Sequence, residues 1–242
     1  MKFAGVLRTA GVGSALVALT VLSACSSPAS RFYTLGGGDA ALKTSTPASF
    51  YLEVSAVDMP PQVARNQMVV QDGSAQVKVL EDERWASLPA DEVRRALSAD
   101  LTQRLGSIDV YGTPHPEGVP VYRVKVNVQQ FVSSPGRRAL IDAVWSVRGV
   151  NNEAVLTCRT LAEQPVDAGF DALVAGHKRA VDQLAADISA GVHTVSLVPM
   201  PVSASSAMSK PAAGKMLKSV PLTPAVLPCP MASVASSAAS TQ

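Results

Sequence analysis

The 242-residue chain is 47% hydrophobic and 17% charged, with 21 Lys and Arg against 19 Asp and Glu and a formal net charge of +2. The charges are scattered and form no basic stripe, so the electrostatic footprint of a nucleic-acid binder is missing and that class is excluded. The three cysteines, Cys25, Cys158 and Cys229, fall in no CxxC or Cys/His pattern with zinc spacing.

Lys2 and Arg8 precede a small-and-apolar run from Ala10 to Leu22, and Leu22-Ser23-Ala24-Cys25 closes it. A charged start, a short apolar stretch and small residues at a cut are the layout of a secretory signal. The run is well short of the ~20 residues that span a bilayer, so an uncleaved transmembrane helix does not fit. With a cysteine in the first position beyond the cut, the segment resembles the lipobox of bacterial lipoproteins. That resemblance implies removal of residues 1–24 and acylation of Cys25 as the mature N-terminus. Each buried methylene contributes ~0.8 kcal/mol and one chain holds only marginally, so the three chains of a typical lipoprotein would hold the protein on a membrane permanently. Ser26, where an aspartate would signal retention at the inner membrane in enterobacteria, favours the outer membrane. Maturation removes Lys2 and Arg8 and no acid, which takes the formal charge to zero.

Residues 25–49, rich in Ser, Ala, Gly and Thr with Gly36-Gly37-Gly38 at the middle, read as a lipidated flexible tether with a root-mean-square reach of ~25–30 Å. Residues 50–198 carry regular hydrophobic patterning and suffice for one domain with one core. Tyr51 to Val57 alternates as a strand, closed by Asp58 and Pro60-Pro61. Met68-Val69-Val70 and Val77-Lys78-Val79-Leu80 flank Asp72-Gly73-Ser74, a hairpin signal. The acids Glu81, Asp82 and Glu83 read as a solvated loop ahead of Trp85. Pro89 opens a helix, where its missing N–H is harmless. Val93, Leu97, Leu101 and Leu105 give that helix an apolar face, and Gly106 ends it.

Val124, Val126 and Val128 alternate with Lys125, Asn127 and Gln129, a strand with one wet face. Turns at Ser133-Ser134-Pro135-Gly136 and Asn151-Asn152 lead into strands over Ala139 to Val147 and Ala154 to Thr160, an antiparallel meander. Phe170, Leu173, Val174, His177, Val181, Leu184, Ile188 and Val192 trace the stripe of a last helix. Strands and helices in this order predict an α+β fold, a mostly antiparallel sheet with two helices packed on one face. Residues 199–242, rich in Pro, Ala and Ser without acids, read as a disordered tail. An oxidising compartment permits a bond between Cys158 and Cys229, but with Cys229 in that tail the burial of Cys158 as a small apolar residue is favoured.

The chain offers little chemistry. His115 lies in a Thr-Pro-His-Pro loop, His177 near the apolar helix stripe as a half-buried, hydrogen-bonded imidazole, and His193 at a helix end where it suits the dipole, none paired at metal spacing. No helix follows the three glycines, which argues against a phosphate cradle. No cofactor motif is present and a catalytic role is not expected. Trp85, after Arg84, suits packing of the helix onto the sheet, with an interface anchor as the alternative. Arg65 suits an acid or a partner.

These pieces converge on a family. Arg31-Phe32-Tyr33-Thr34-Leu35 after a lipobox, Met59-Pro60-Pro61 through Arg65 into Met68-Val69-Val70, and Arg84-Trp85-Ala86-Ser87-Leu88 before a helix resemble the ABC-type transport auxiliary lipoproteins, the PqiC family. The closing helix around Leu184 to Ile188 is similar in character. The tail beyond residue 199 is not part of that pattern. The resemblance implies a non-enzymatic outer-membrane lipoprotein that faces the periplasm. Its partners would be an MCE-domain protein with its transporter complex and the membrane under its acyl chains, and self-association stays open. Arg65, Arg84 and Trp85 are the candidate partner-binding residues and Cys25 the lipid attachment site. The alternative is an envelope assembly lipoprotein that activates or positions a cell-wall enzyme.

Overall fold

The computed structural model describes residues 29–36, 48–150, 154–198 and 227–230. The signal segment, Cys25, Gly37-Gly38, the Asn151-Asn152 turn and the remainder of the tail lie outside the described residues. The strands are β1 (Arg31–Tyr33), β2 (Tyr51–Val54), β3 (Gln67–Asp72), β4 (Gln76–Trp85), β5 (Val121–Ser134), β6 (Arg138–Gly149) and β7 (Val155–Pro165). The helices are α1 (Pro89–Leu105) and α2 (Phe170–Ser196), and a 3-10 turn at Pro61–Val63 precedes β3.

The expected α+β fold is present, with its strands divided between two mixed sheets. The larger has the order β2-β5-β6-β7 and the smaller β1-β4-β3. β5, β6 and β7 form the antiparallel meander, and β3 and β4 the hairpin around Gly73. Two pairings are parallel, β1 with β4 and β2 with β5. Parallel neighbours require long connections, and the chain between β2 and β5 supplies one through the hairpin and α1.

The alternation on β5 and β6 turns Val124, Val126 and Val128, then Ile141, Ala143, Trp145 and Val147, into one buried face. The register sets Trp145 opposite Cys158 and Val147 opposite Leu156, so β7 continues that face. Val93, Leu97 and Leu101 of α1 and Leu184, Ile188 and Val192 of α2 complete the core, all buried. Pro89 occupies the first turn of α1, and Gly106 closes it in the left-handed region at φ 61°, open to a residue without Cβ. Arg104 bonds Asp182 and so ties the polar flanks of the two helices together.

Four local features differ from the sequence reading. The acidic run is part of β4, and Glu83 is only 8% exposed, because its alternation with Trp85 points both inward. The described fold begins in the tether, where β1 pairs with Glu83–Trp85. His177 is buried outright at 0% exposure. Cys158 is buried, and it is also bonded to Cys229 across 71 residues. Leu227 packs beside that bond against the core, so tail residues 227–230 cover the helix-side face next to edge strand β7.

α2 approaches the sheet closely at two glycines. A Cβ on Gly191 would meet the Trp145 ring at 2.7 Å, and one on Gly176 would clash with Val166 Cγ1. Trp145 has no room to yield, since its Nε1 donates to Thr160 Oγ1 (2.9 Å) and that hydroxyl donates to Asp187 (2.7 Å). Helix propensity alone would stabilise Gly191→Ala by about 1 kcal/mol, whereas overpacking costs about 1–3 kcal/mol. Gly191→Ala is therefore expected to lower the denaturation midpoint in urea; a raised midpoint would show that α2 and Trp145 are not in close contact.

Candidate functional site

Site residues gather where β1 meets the end of β4 and the start of α1. Register sets Arg31 opposite Glu83, Phe32 opposite Arg84 and Tyr33 opposite Trp85. Only three residues pair, too few for a strand to hold by backbone bonds alone. Two buried carboxylates supply the rest.

Glu83 receives Arg31 at one oxygen, with Arg31 Nε at 3.0 Å, and the Tyr33 hydroxyl at the other, at 2.9 Å. The Arg31 guanidinium also lies 5.8 Å from the ring centroid of Phe170, the first residue of α2. Burial, then the hydrogen bond to Glu83, pushes the Tyr33 hydroxyl up to about 12, so it stays protonated as a donor.

Glu92, in the first turn of α1, is 1% exposed. Its Oε2 accepts the Thr34 hydroxyl (2.7 Å) and the Leu35 backbone N–H (2.8 Å). Its Oε1 accepts from the Ser87 backbone N–H (3.2 Å), the Ser87 hydroxyl and Arg95 (2.9 Å). Burial raises the pKa of this carboxyl, but the hydrogen bonds from Ser87, Thr34 and Leu35, with Arg95 nearby, outweigh it and hold the group below its usual value. Leu35, 5% exposed, plugs the core beyond this joint. The segment 31–35 is thus fastened by side chains at both ends and by the Ala86 N–H donating to the Tyr33 carbonyl at 2.7 Å.

Trp85 is 2% exposed and meets Phe131 and His177 edge-on, each with 6.0 Å between ring centroids. Its interface-anchor alternative is corrected accordingly: the ring packs the core and offers no face to a partner. Arg84 lies on the opposite side of β4, half-buried, and its Nε donates to the Glu81 carbonyl at 2.6 Å. Arg65 is exposed, two residues ahead of Gln67, which pairs with Arg84. Among the described residues its side chain has no ion-pair partner. Register therefore brings Phe32, Arg84 and Gln67 into one row across the small sheet. Arg65 lies two residues ahead of Gln67 along the chain, and Phe32 is 65% exposed beside Arg84. Sequence gave no sign of its exposure, since an aromatic in a three-residue strand reads equally well as core.

Ser133 Oγ and His177 Nε2 lie 2.8 Å apart, a spacing that in an open cleft would suggest a nucleophile and base. Here both are sealed, at 3% and 0% exposure, and the imidazole stacks on Phe131 with centroids 4.2 Å apart. Burial pushes His177 down to about 3, so the ring is neutral at physiological pH and serves as a core hydrogen-bonding group. Among the described residues no three His, Cys, Asp or Glu side chains gather into a metal set.

Residues 33–189 match the ABC-type transport auxiliary lipoprotein component family, from the Tyr33 of the fastened segment to the late turns of α2. The chain belongs to that family. Among solved structures, an uncharacterized protein aligns at a TM-score of 0.55 and 20% identity, covering 68% of this chain and 99% of its own. A Xanthomonas campestris protein of a family named DUF330 aligns at 0.47 and 14% identity, over 60% of this chain and 83% of its own. The first of these supports the fold. No curated protein matches the chain. Among the described residues of this auxiliary lipoprotein, no helix is long and apolar enough to cross a membrane.

Glu92→Ala would leave the Leu35 N–H and the Thr34 and Ser87 hydroxyls without their acceptor in a buried joint. Each such loss costs about 1–3 kcal/mol. The variant is expected to unfold at distinctly lower urea and to be clipped by protease near residue 35 at native temperature. A variant with wild-type stability and resistance would show that Glu92 does not hold the segment.

Proposed function

We propose that this auxiliary lipoprotein is anchored in the outer membrane through acylated Cys25, faces the periplasm, and docks on the MCE tunnel of an ABC-type lipid transporter. It contributes no catalysis; the energy comes from the separate ATPase of the system. Its task is positional, to hold the far end of the tunnel at the membrane and so support membrane integrity. The observation that carries this reading is the fastening of residues 31–35 by Glu83 and Glu92. A domain meant to range freely after a partner gains nothing from building its leash into its own sheet, whereas an adapter between a membrane and a tunnel gains a fixed distance.

The docking face in this reading is the patch of Phe32, Arg84 and Arg65. An exposed aromatic flanked by guanidinium groups has the composition of an interface hot spot. Arg65 is the sharper candidate, because its charge is not engaged within the described fold, whereas Arg84 is turned back on Glu81. The role assigned to Trp85 is to stiffen the strand beneath this patch.

Purification of the tagged protein from mildly crosslinked native membranes, with mass spectrometry of what accompanies it, tests the reading. Recovery of an MCE-domain protein with its permease is expected, and Arg65→Glu should cut that recovery several-fold without changing thermal stability. Recovery of cell-wall enzymes with no MCE protein at any crosslinker dose would overturn the proposal in favour of an assembly role.

A further inference from the structure

β1 runs parallel to β4, so the chain ahead of Arg31 leaves along β4 in reverse, toward the β3–β4 hairpin. Ala29 and Ser30, both exposed, are the last described residues on that course. From Arg31 back to Cys25 there are six residue steps, a reach of at most about 20–22 Å. From Glu83, the register partner of Arg31, back to Gln76 at the hairpin turn there are seven steps along β4, about 23 Å. The chain ahead of Arg31 and the hairpin therefore start at one level, and the reach of that chain nearly equals the length of the hairpin.

The hairpin end carries two exposed valines on β4. Val77 is 62% and Val79 39% exposed, both on one face of β4, and the flanking charges Asp72 and Lys78 neutralise each other in an ion pair at 2.5 Å. A tip without net charge and with two bare valines is cheap to bring against a lipid headgroup layer.

We infer that the β3–β4 hairpin rests on the bilayer that holds the Cys25 acyl chains, with Val77 and Val79 against the lipid surface. The inference rests on the anchor proposed above and adds an orientation to it. A leash no longer than the hairpin leaves no room for the domain to turn over, so the loops ahead of β5 face away from the membrane. The fourteen residues of β5 separate those loops from the hairpin, which packs beside the strand's far end.

The test uses the full lipidated protein in phosphatidylethanolamine/phosphatidylglycerol vesicles, with an environment-sensitive dye on Ser74→Cys at the hairpin turn or on Glu117→Cys in the distal loop. Vesicle flotation is measured on the same samples. Flotation with several-fold stronger quenching of the Ser74 dye than of the Glu117 dye by headgroup-labelled lipid is expected. Flotation with equal quenching would overturn the orientation while leaving the anchor intact. Failure to float would remove the anchor and the orientation together. Should the Ser74 site disturb the turn, a dye on Ala75→Cys gives the same comparison.

Discussion

Two carboxylates taken out of water, Glu83 and Glu92, are the constraint on which the rest depends. Burying a carboxylate is unfavourable unless its lone pairs are filled; Glu83 is filled by Arg31 and Tyr33, and Glu92 by Thr34 and Leu35 together with Ser87 and Arg95. The dependence is mutual. Without the segment the acids would be stranded, and without the acids three residues of strand would fray. Glu83 lies in β4 and Glu92 in α1, so the same joint sets the angle at which helix leaves strand. Trp85 sits between them and passes that geometry to Phe131 and His177 in the core.

The large sheet and its helices supply most of the core. Their contact is tight where glycines let α2 onto the sheet, at Gly176 and Gly191, and beside Gly191 Trp145 is paired with Thr160 and Thr160 with Asp187. Asp142, fully buried on the other face, is forked by Arg159 at 2.8 and 2.6 Å, which lowers its pKa despite the burial. Phe32 of the small sheet and Arg65 ahead of it are exposed close to the N-terminal segment.

Much of this architecture is legible in the sequence because its signals are local. The meander follows from period-two alternation at Val124, Val126 and Val128, the first helix from Pro89 and Gly106, and the last from a stripe of eight residues. The misses are long-range. Glu81-Asp82-Glu83 reads as solvent-facing because nothing nearby reveals that Arg31, more than fifty residues earlier, will meet Glu83. Residues 31–35 read as tether by composition, although the aromatic motif within them belongs to the family pattern. Cys229 sits in a segment with no periodic pattern, so neither its bond to Cys158 nor the packing of Leu227 leaves a trace in local sequence. Trp85 is legible as the residue that packs the helix onto the sheet, and its 2% exposure agrees.

The proposed adapter role requires that the N-terminal segment be part of the fold; if the segment is loose, that account fails. Amide hydrogen exchange at Ala86, whose N–H donates to the Tyr33 carbonyl, reports this most directly, with Leu35, bonded to Glu92, as its companion. The account predicts that both exchange as slowly as amides of β5, opening only with the whole domain. Exchange at the rate of an unprotected chain, while β5 stays protected, would contradict it.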